Sequence, residues 1–295
     1  MSIDRPENLP RLALIAGPTA SGKSALALAR AERGCGTIIN ADASQVYRDL
    51  SILTARPSAA EEGRVPHRLY GVRDGADACS AAEWATDAIA AIAEAHRAGR
   101  LPILVGGTGL YLRTLLDGIA PVPPIDPGVR CEVRALDGST AHAALAREDP
   151  AEAMRLHPND TARTQRALEV VRSTGRTIAA WRATRTGGLR NRVALDVTIV
   201  DPPVAELYAR CETRVDAMLA NGALDEVATL VARRLDPGLP VMRAIGVAPL
   251  SSYLAGTTTL PVAIAEIKQA TRNYGKRQRT WFRNQPLERD ATRTG

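Results

Sequence analysis

The chain has 295 residues, a net charge of +6, 45% apolar residues, 24% charged residues and only 3% aromatics. That length allows one large domain or a core domain with an insertion, and the balance is that of an ordered globular protein with an aliphatic core, which excludes a disordered or collagen-like chain. No apolar run approaches the roughly 18 residues of a membrane span, and MSIDRPENLP lacks the charged-then-apolar layout of a signal peptide, so a cytoplasmic protein with no membrane partner is expected. In chain order, RLALIAG reads as a short buried strand, GPTASGKS (Gly17, Pro18, Thr19, Ala20, Ser21, Gly22, Lys23, Ser24) as a loop, and Ser24 to Arg33 as a helix. GTIINAD is a second strand with Asp42 at its C-terminal edge, where ligands gather in open α/β sheets. Ser80 and Glu83 form a capping box ahead of a helix ending near Gly99, and LPILV is the next strand, so a parallel βαβ unit with a right-handed crossover is expected.

After Gly118 the composition changes. Pro121, Pro123, Pro124 and Pro127 stiffen a linker into an arginine-rich, helix-prone stretch, within which NDTARTQRALEVVRSTG carries an Asn/Asp start and a Gly175 stop. Residues 120–192 read as an inserted helical subdomain, leaving 1–119 and 193–295 as the core. VALDVTIVD resembles a strand returning to the sheet, followed by helices over 205–220, 224–233 and 262–282. On the last helix Lys268, Arg272, Lys276, Arg279 and Arg283 share one face beside an Ile267, Tyr274, Trp281 stripe, a pattern compatible with a polyanion-facing ridge or a solvated surface. Cys35, Cys79, Cys131 and Cys211 show no C-x-x-C and no zinc-like spacing to histidine, so they are expected to be buried, unbridged and metal-free.

The chemistry concentrates in Gly-x-x-x-x-Gly-Lys-Ser. Between a strand and a helix this pattern supplies glycines for a tight turn, N–H groups and Lys23 for phosphate oxygens, and Ser24 for Mg²⁺. Lysine occurs only at 23, 268 and 276 in a chain that otherwise uses arginine, so position 23 stands out. An NTPase or kinase also carries an acid at the end of an apolar strand to hold Mg²⁺, yet LPILV runs into Gly106-Gly107-Thr108-Gly109 without one. The remaining strand-end carboxylate is Asp42, near the loop if the first two strands lie close together. A carboxylate beside bound phosphate can be a general base, a group beside Mg²⁺ or a helix cap. Arg214, one turn after Arg210, is a candidate to stabilise a departing diphosphate.

GPTASGKS, NADASQVYRDL, TARPS, PHRLYGV, LVGGTGLYLRTLLDG, HPNDTARTQRALEV, MLANGALDEV and KRQRTWFRN, in this order over almost the whole chain, resemble the tRNA dimethylallyltransferase family, bacterial type. The resemblance implies an α/β, P-loop NTPase-like parallel sheet flanked by helices, with the inserted helical subdomain gripping the anticodon stem-loop. It implies transfer of a dimethylallyl group from dimethylallyl diphosphate, with Mg²⁺, to N6 of the adenine 3′ to the anticodon (position 37) in tRNAs reading codons that begin with U. Asp42 is then general base, Thr19 lies by the reacting groups and Arg214 binds the diphosphate. Asp42, Ala43, Ser44, Gln45, Thr108, Arg130, Ala162, Arg163, Thr164, Gln165 and Arg166 correspond to tRNA-contacting segments, and a monomer is expected. The chain departs from the family pattern at Ala43, Leu53, Arg56 and Val247. Three rival readings are a small-molecule kinase, a prenyltransferase acting on free adenine nucleotides, and an RNA-binding protein with a relict loop.

Overall fold

The computed structural model describes residues 9–285 and 291–294. The reading of MSIDRPEN as no signal peptide falls outside the described residues. The chain divides into two compact units, Met1–Leu115 with Arg190–Gly295, and Leu116–Leu189.

The first unit opens with β1 (Arg11–Ala16), α1 (Lys23–Arg33), β2 (Gly36–Asn40), a short α2 (Ala59–Glu62), β3 (His67–Arg68), α3 (Ala81–Arg97), β4 (Leu101–Gly106) and α4 (Gly109–Asp117). The second unit contains α5 (Pro127–Ala135), α6 (Gly138–Glu148), α7 (Pro150–Arg155), α8 (Thr161–Thr174) and α9 (Ile178–Ala183). The first unit resumes with β5 (Ala194–Val200), α10 (Val204–Ala220), α11 (Ala223–Ala232), a 3₁₀ turn (Pro240–Arg243), α12 (Val247–Leu254), α13 (Leu260–Arg283) and β6 (Ala291–Thr294).

Six strands form one sheet in the order β3-β2-β4-β1-β5-β6, every neighbouring pair parallel. This is the P-loop NTPase-like arrangement. The central strands β1, β2 and β4 are buried almost throughout, as two-sided parallel strands must be. Ala13, Ile15, Ile38, Ile103 and Val105 pack with Ala27, Leu28 and Ala31 of α1. The intervening residues Leu12, Leu14, Ile39 and Leu104 point to the other face and are equally buried.

The capping box at Ser80 forms with both of its hydrogen bonds, and α3 carries the chain from β3, an edge strand beside β2, across to β4 on the other side of β2. One premise is corrected. β1 and β2 are not neighbours, because β4 lies between them. All three strands run the same way, so the loops at their C-terminal ends still converge on one edge.

In the second unit Val133, Ala144, Leu145, Ala153, Ala167 and Leu168 form a separate small core. Asp160 caps α8 and Gly175 ends it at φ +66°, as the sequence signals require. Among the described residues no helix is long and apolar enough to cross a membrane. The cysteines depart from expectation: Cys35 and Cys131 are exposed and only Cys211 is fully buried. All four are unbridged, and no group of three or more potential metal-ligating side chains occurs among the described residues.

Candidate active site

The loop after β1 must pass close to the end of β5. A side chain at Gly17 would put its Cβ 2.5 Å from the Val200 carbonyl oxygen, so only glycine fits there. Ala20 and Gly22 both take positive φ, +60° and +93°, which turns the loop back before α1 begins. Ser21 is buried and its Oγ has no hydrogen-bond partner among the described residues. Lys23 reaches back to donate to the Pro18 carbonyl at 3.0 Å.

Gln278 of α13, 5% exposed, ties this loop to the one after β4. Its Oε1 accepts from the Thr19 N–H at 2.8 Å and its Nε2 donates to the Gly107 carbonyl at 3.0 Å. Gly107 has no room for a side chain, since a Cβ would run into the Gln278 amide. Sequence reasoning missed Gln278. Its signal is an uncharged amide in KRQR, one turn after Tyr274.

Asp42 sits just beyond β2, held by a second missed residue. Asn40 is fully buried, accepts from the Asp42 N–H at 2.8 Å, and donates to the Asp42 and Leu69 carbonyls, each at 3.0 Å. Trp84, stacked on Tyr111 at 4.4 Å, donates its indole N–H to the Asn40 carbonyl. Asp42 Oδ1 accepts from the Ser44 N–H at 2.9 Å, and Oδ2 has no partner among the described residues. The carboxylate therefore closes a turn with one oxygen and leaves the other available; it caps no helix. Thr108 Oγ1 accepts from the Ala43 N–H at 3.0 Å, joining this turn to the loop after β4.

Arg214 enters from α10. Its Nη1 donates to Thr19 Oγ1 at 3.0 Å, and Arg210, one turn earlier, donates to the Ser21 carbonyl at 3.1 Å. Among the described residues neither Lys23 nor Arg214 has a carboxylate partner, and both bond neutral oxygens. Burial, followed by the charge of Arg214, lowers the Lys23 pKa to about 8, while Asp42 opposes the shift. Burial also lowers Arg214, again against Asp42.

Two cavities meet here. One, of about 570 Å³, is lined by Thr19 to Ser24, Arg210 and Arg214. The other, of about 260 Å³, is more apolar, with Leu53, Met218, Ile245 and Ile267 beside Tyr274 and Arg277. Thr19, Asp42, Thr54 and Arg214 line both. The wall carrying Thr54 is shaped by Glu226, another missed residue, whose carboxylate accepts the N–H groups of Ser51, Ile52 and Leu53 at 2.5 to 2.9 Å.

Thr19, Lys23, Ser24, Asp42, Ser44, Gln45 and Arg214 thus line the two cavities, although the Gln45 amide is bonded to the Thr54 and Ala55 carbonyls. Arg130, Ala162, Arg163 and Arg166 are exposed on the second unit. Thr164 is fully buried in that unit and Gln165 bonds the Leu136 carbonyl, so neither is presented as its neighbours are. Of the departures, Leu53 lines the smaller cavity and Val247 is buried at the start of α12. His67 bonds the Val65 carbonyl and meets Tyr70 edge-on, a structural placement.

The cations on the α13 ridge are mostly engaged within the fold. Lys268 pairs with Asp216 at 2.7 Å, Arg272 with Glu212, and Arg279 and Arg283 with Asp201 at 2.5 and 3.6 Å. Four of its five cations therefore meet carboxylates within the same unit.

Fold and site together define a P-loop-fold protein whose anion cradle meets a second cavity, with an aliphatic wall, at Thr19, Asp42, Thr54 and Arg214. Residues 45–285 match the IPP transferase family. A tRNA dimethylallyltransferase of Sphingopyxis alaskensis is 61% identical over 276 residues, 93% of this chain and 90% of that protein. The full-length tRNA isopentenylpyrophosphate transferase of Bacillus halodurans is 34% identical with a TM-score of 0.69, over 96% of this chain and 89% of that one. A eukaryotic dimethylallyltransferase acting on tRNA is 28% identical with a TM-score of 0.83, over 96% and 74%. The chain belongs to the IPP transferase family.

Proposed function

We propose that this chain transfers the dimethylallyl group of dimethylallyl diphosphate to N6 of the adenine 3′ to the anticodon, position 37, in tRNAs reading codons that begin with U. The observation that carries this reading is the junction of the two cavities at Thr19, Asp42 and Arg214. An anion cradle on one side and a chamber with an aliphatic wall of Leu53, Val215, Met218, Ile245 and Ile267 on the other suit a substrate with a charged leaving group and a hydrocarbon head. The adenine must leave the stack to expose N6, and the smaller cavity, with Tyr274 and Arg277 on its wall, is where it meets the allylic carbon.

In the reaction N6 forms a bond to the allylic C1 while the C1–O bond breaks, its electron pair leaving with the diphosphate. Asp42 Oδ2 takes the N6 proton, and its turn, fixed by Ser44 and Asn40, holds that oxygen in place. Lys23 and Arg214 offset the negative charge building on the leaving group, and in a buried cavity that stabilisation is larger than in water. Thr19 is oriented for this by Gln278 and Arg214.

Ser24 is exposed at the larger cavity and Ser21 Oγ is unpartnered, which fits a hydroxyl donor set completed by diphosphate oxygens and water. Mg²⁺ held by Ser24 would supply further charge neutralisation to the diphosphate. The chain acts as a monomer in the cytoplasm in this proposal.

The test is transfer of radiolabel from allyl-labelled dimethylallyl diphosphate to unmodified tRNA with Mg²⁺, beside AMP and an ATP-only control. Label in tRNA that disappears when adenine 37 is replaced is the expected result. Label in AMP would favour a free-nucleotide enzyme, and ATP consumption alone a kinase; either, without label in tRNA, rejects the proposal.

A further inference from the structure

The second unit buries two glutamates that the reaction does not use. Glu152 and Glu169 are each 3% exposed, and each meets two arginines that reach the surface. Glu152 pairs with Arg155 and Arg182, and Glu169 with Arg134 and Arg166. A buried carboxylate has to be paired to be tolerated, but one guanidinium neutralises its charge. The second leaves each cluster with a surplus positive charge.

The Glu169 cluster lies between α5 and α8. Arg134 donates through Nε to Oε1 at 3.1 Å, and Arg166 through Nη1 to Oε2 at 3.3 Å. The same two helices are joined by Gln165 bonding the Leu136 carbonyl and by Val133 packing with Ala167 and Leu168. Arg130 is one turn before Arg134 on α5, and Arg163 is three residues before Arg166 on α8, so each helix presents its arginines in a row.

We propose that Arg134 is a further RNA phosphate contact and that Glu169 is the positioning residue holding Arg134 and Arg166 as a pre-arranged pair. This rests on the reading that the chain binds tRNA. The side chains of Arg134 and Arg166 remain 65% and 45% exposed on a carboxylate only 4% exposed, as Arg155 does on Glu152 at 66%; what distinguishes the Glu169 pair is that exposed Arg130 and Arg163 extend its two rows. Exposure varies between arginines that share one carboxylate: on Asp201, 11% exposed, Arg279 is 11% exposed and Arg283 is 56% exposed. Arg134 is anchored by Nε, and its planar terminal amino groups suit two phosphate oxygens. Fixing both side chains before binding reduces the ordering cost when RNA arrives.

The test uses the full chain and unmodified tRNA, with affinity measured between about 50 and 200 mM salt. Arg134→Gln is expected to weaken binding roughly five- to tenfold and to reduce the slope of log K against log salt by about 0.7 to 0.9, with kcat at saturating tRNA preserved. Arg155→Gln, an equal charge loss at the other cluster, should cost less in both affinity and slope. Glu169→Gln removes a negative charge, so a simple field effect would tighten binding; positioning predicts weaker binding, read beside a thermal melt to confirm folding.

Tighter binding by folded Glu169→Gln, or a wild-type slope for Arg134→Gln, overturns the inference. So does an equal loss in the Arg134 and Arg155 variants. If Glu169→Gln does not fold, the Arg134 and Arg155 comparison decides alone. Wild-type protein that binds no tRNA overturns the proposed activity and this inference with it.

Discussion

The two faces of α10 treat positive charge in different ways. Glu212 and Asp216, one turn apart, face α13 and pair with Arg272 and Lys268. Arg210 and Arg214, offset by two residues and so lying on roughly the opposite face, turn to the anion cradle, where Arg210 is paired with Glu206 but Arg214 and Lys23 bond only neutral oxygens among the described residues. On the α13 face, cations are matched by carboxylates and serve packing. At the cavity, burial disfavours the charged forms of Lys23 and Arg214, the nearby Asp42 charge opposes this only in part, and neither forms an ion pair among the described residues. A fold that keeps uncompensated cations buried is organised for an anion arriving from outside, and their location identifies the site better than the abundance of arginine does.

The sharpest way to test this contrast is Asp42, the carboxylate that lines both cavities. Asp42→Asn preserves shape and an acceptor for the Ser44 N–H, so the turn should persist. A single-turnover transfer assay should show a rate about 10³ lower, with tRNA affinity nearly unchanged. A near-normal rate at saturating substrates would show that Asp42 is not the base. Next in size is Arg214→Gln, expected to lower kcat/KM for dimethylallyl diphosphate by about 10² while leaving tRNA affinity in place. An equal loss from Arg272→Gln would erase the distinction between the faces.

Much of this was legible in the sequence, for local reasons. The strand, GPTASGKS and helix unit, the Ser80 capping box and the α8 termini follow from short-range rules, and each formed as read. Asp42 was legible as a strand-end acid without a rival after LPILV. Asn40, Gln278 and Glu226 were not, because their roles depend on partners as far as 44, 259 and 175 residues away in the chain. The insertion of β4 between β1 and β2 is likewise non-local. The basic face of α13 was visible, but its partners Glu212, Asp216 and Asp201 lie on other elements, so periodicity showed the charges and not their pairing.

A smaller effect comes from Lys23. Its pKa in the folded protein, about 8, is below the ordinary 10.5, so between these values the unfolded chain binds more protons than the folded one. The empty protein should therefore gain stability as pH rises from 8 to 10.5, and carry the full penalty below 8. A bound anion reverses this by favouring the ammonium. Inorganic pyrophosphate should take up close to one proton on binding near pH 9, and its affinity should fall about tenfold per pH unit above the Lys23 pKa. Calorimetry in two buffers of different ionisation enthalpy measures that uptake, and none would mean Lys23 is already charged in the empty site.

The smallest expected effect is on the other face. Arg272 is 24% exposed and Glu212 46%, so their pair is well screened, and Arg272→Gln should cost no more than about 1 kcal/mol in a thermal melt. Because Arg272 is engaged by Glu212, the same change should leave the salt slope of tRNA binding at its wild-type value. A slope lower by about 0.7 would place α13 against the RNA backbone and show that a paired arginine can still be a phosphate contact there. That result would move the division between structural and binding cations from the two faces of α10 to the exposure of each guanidinium, the same property that sets Arg134 apart from Arg279.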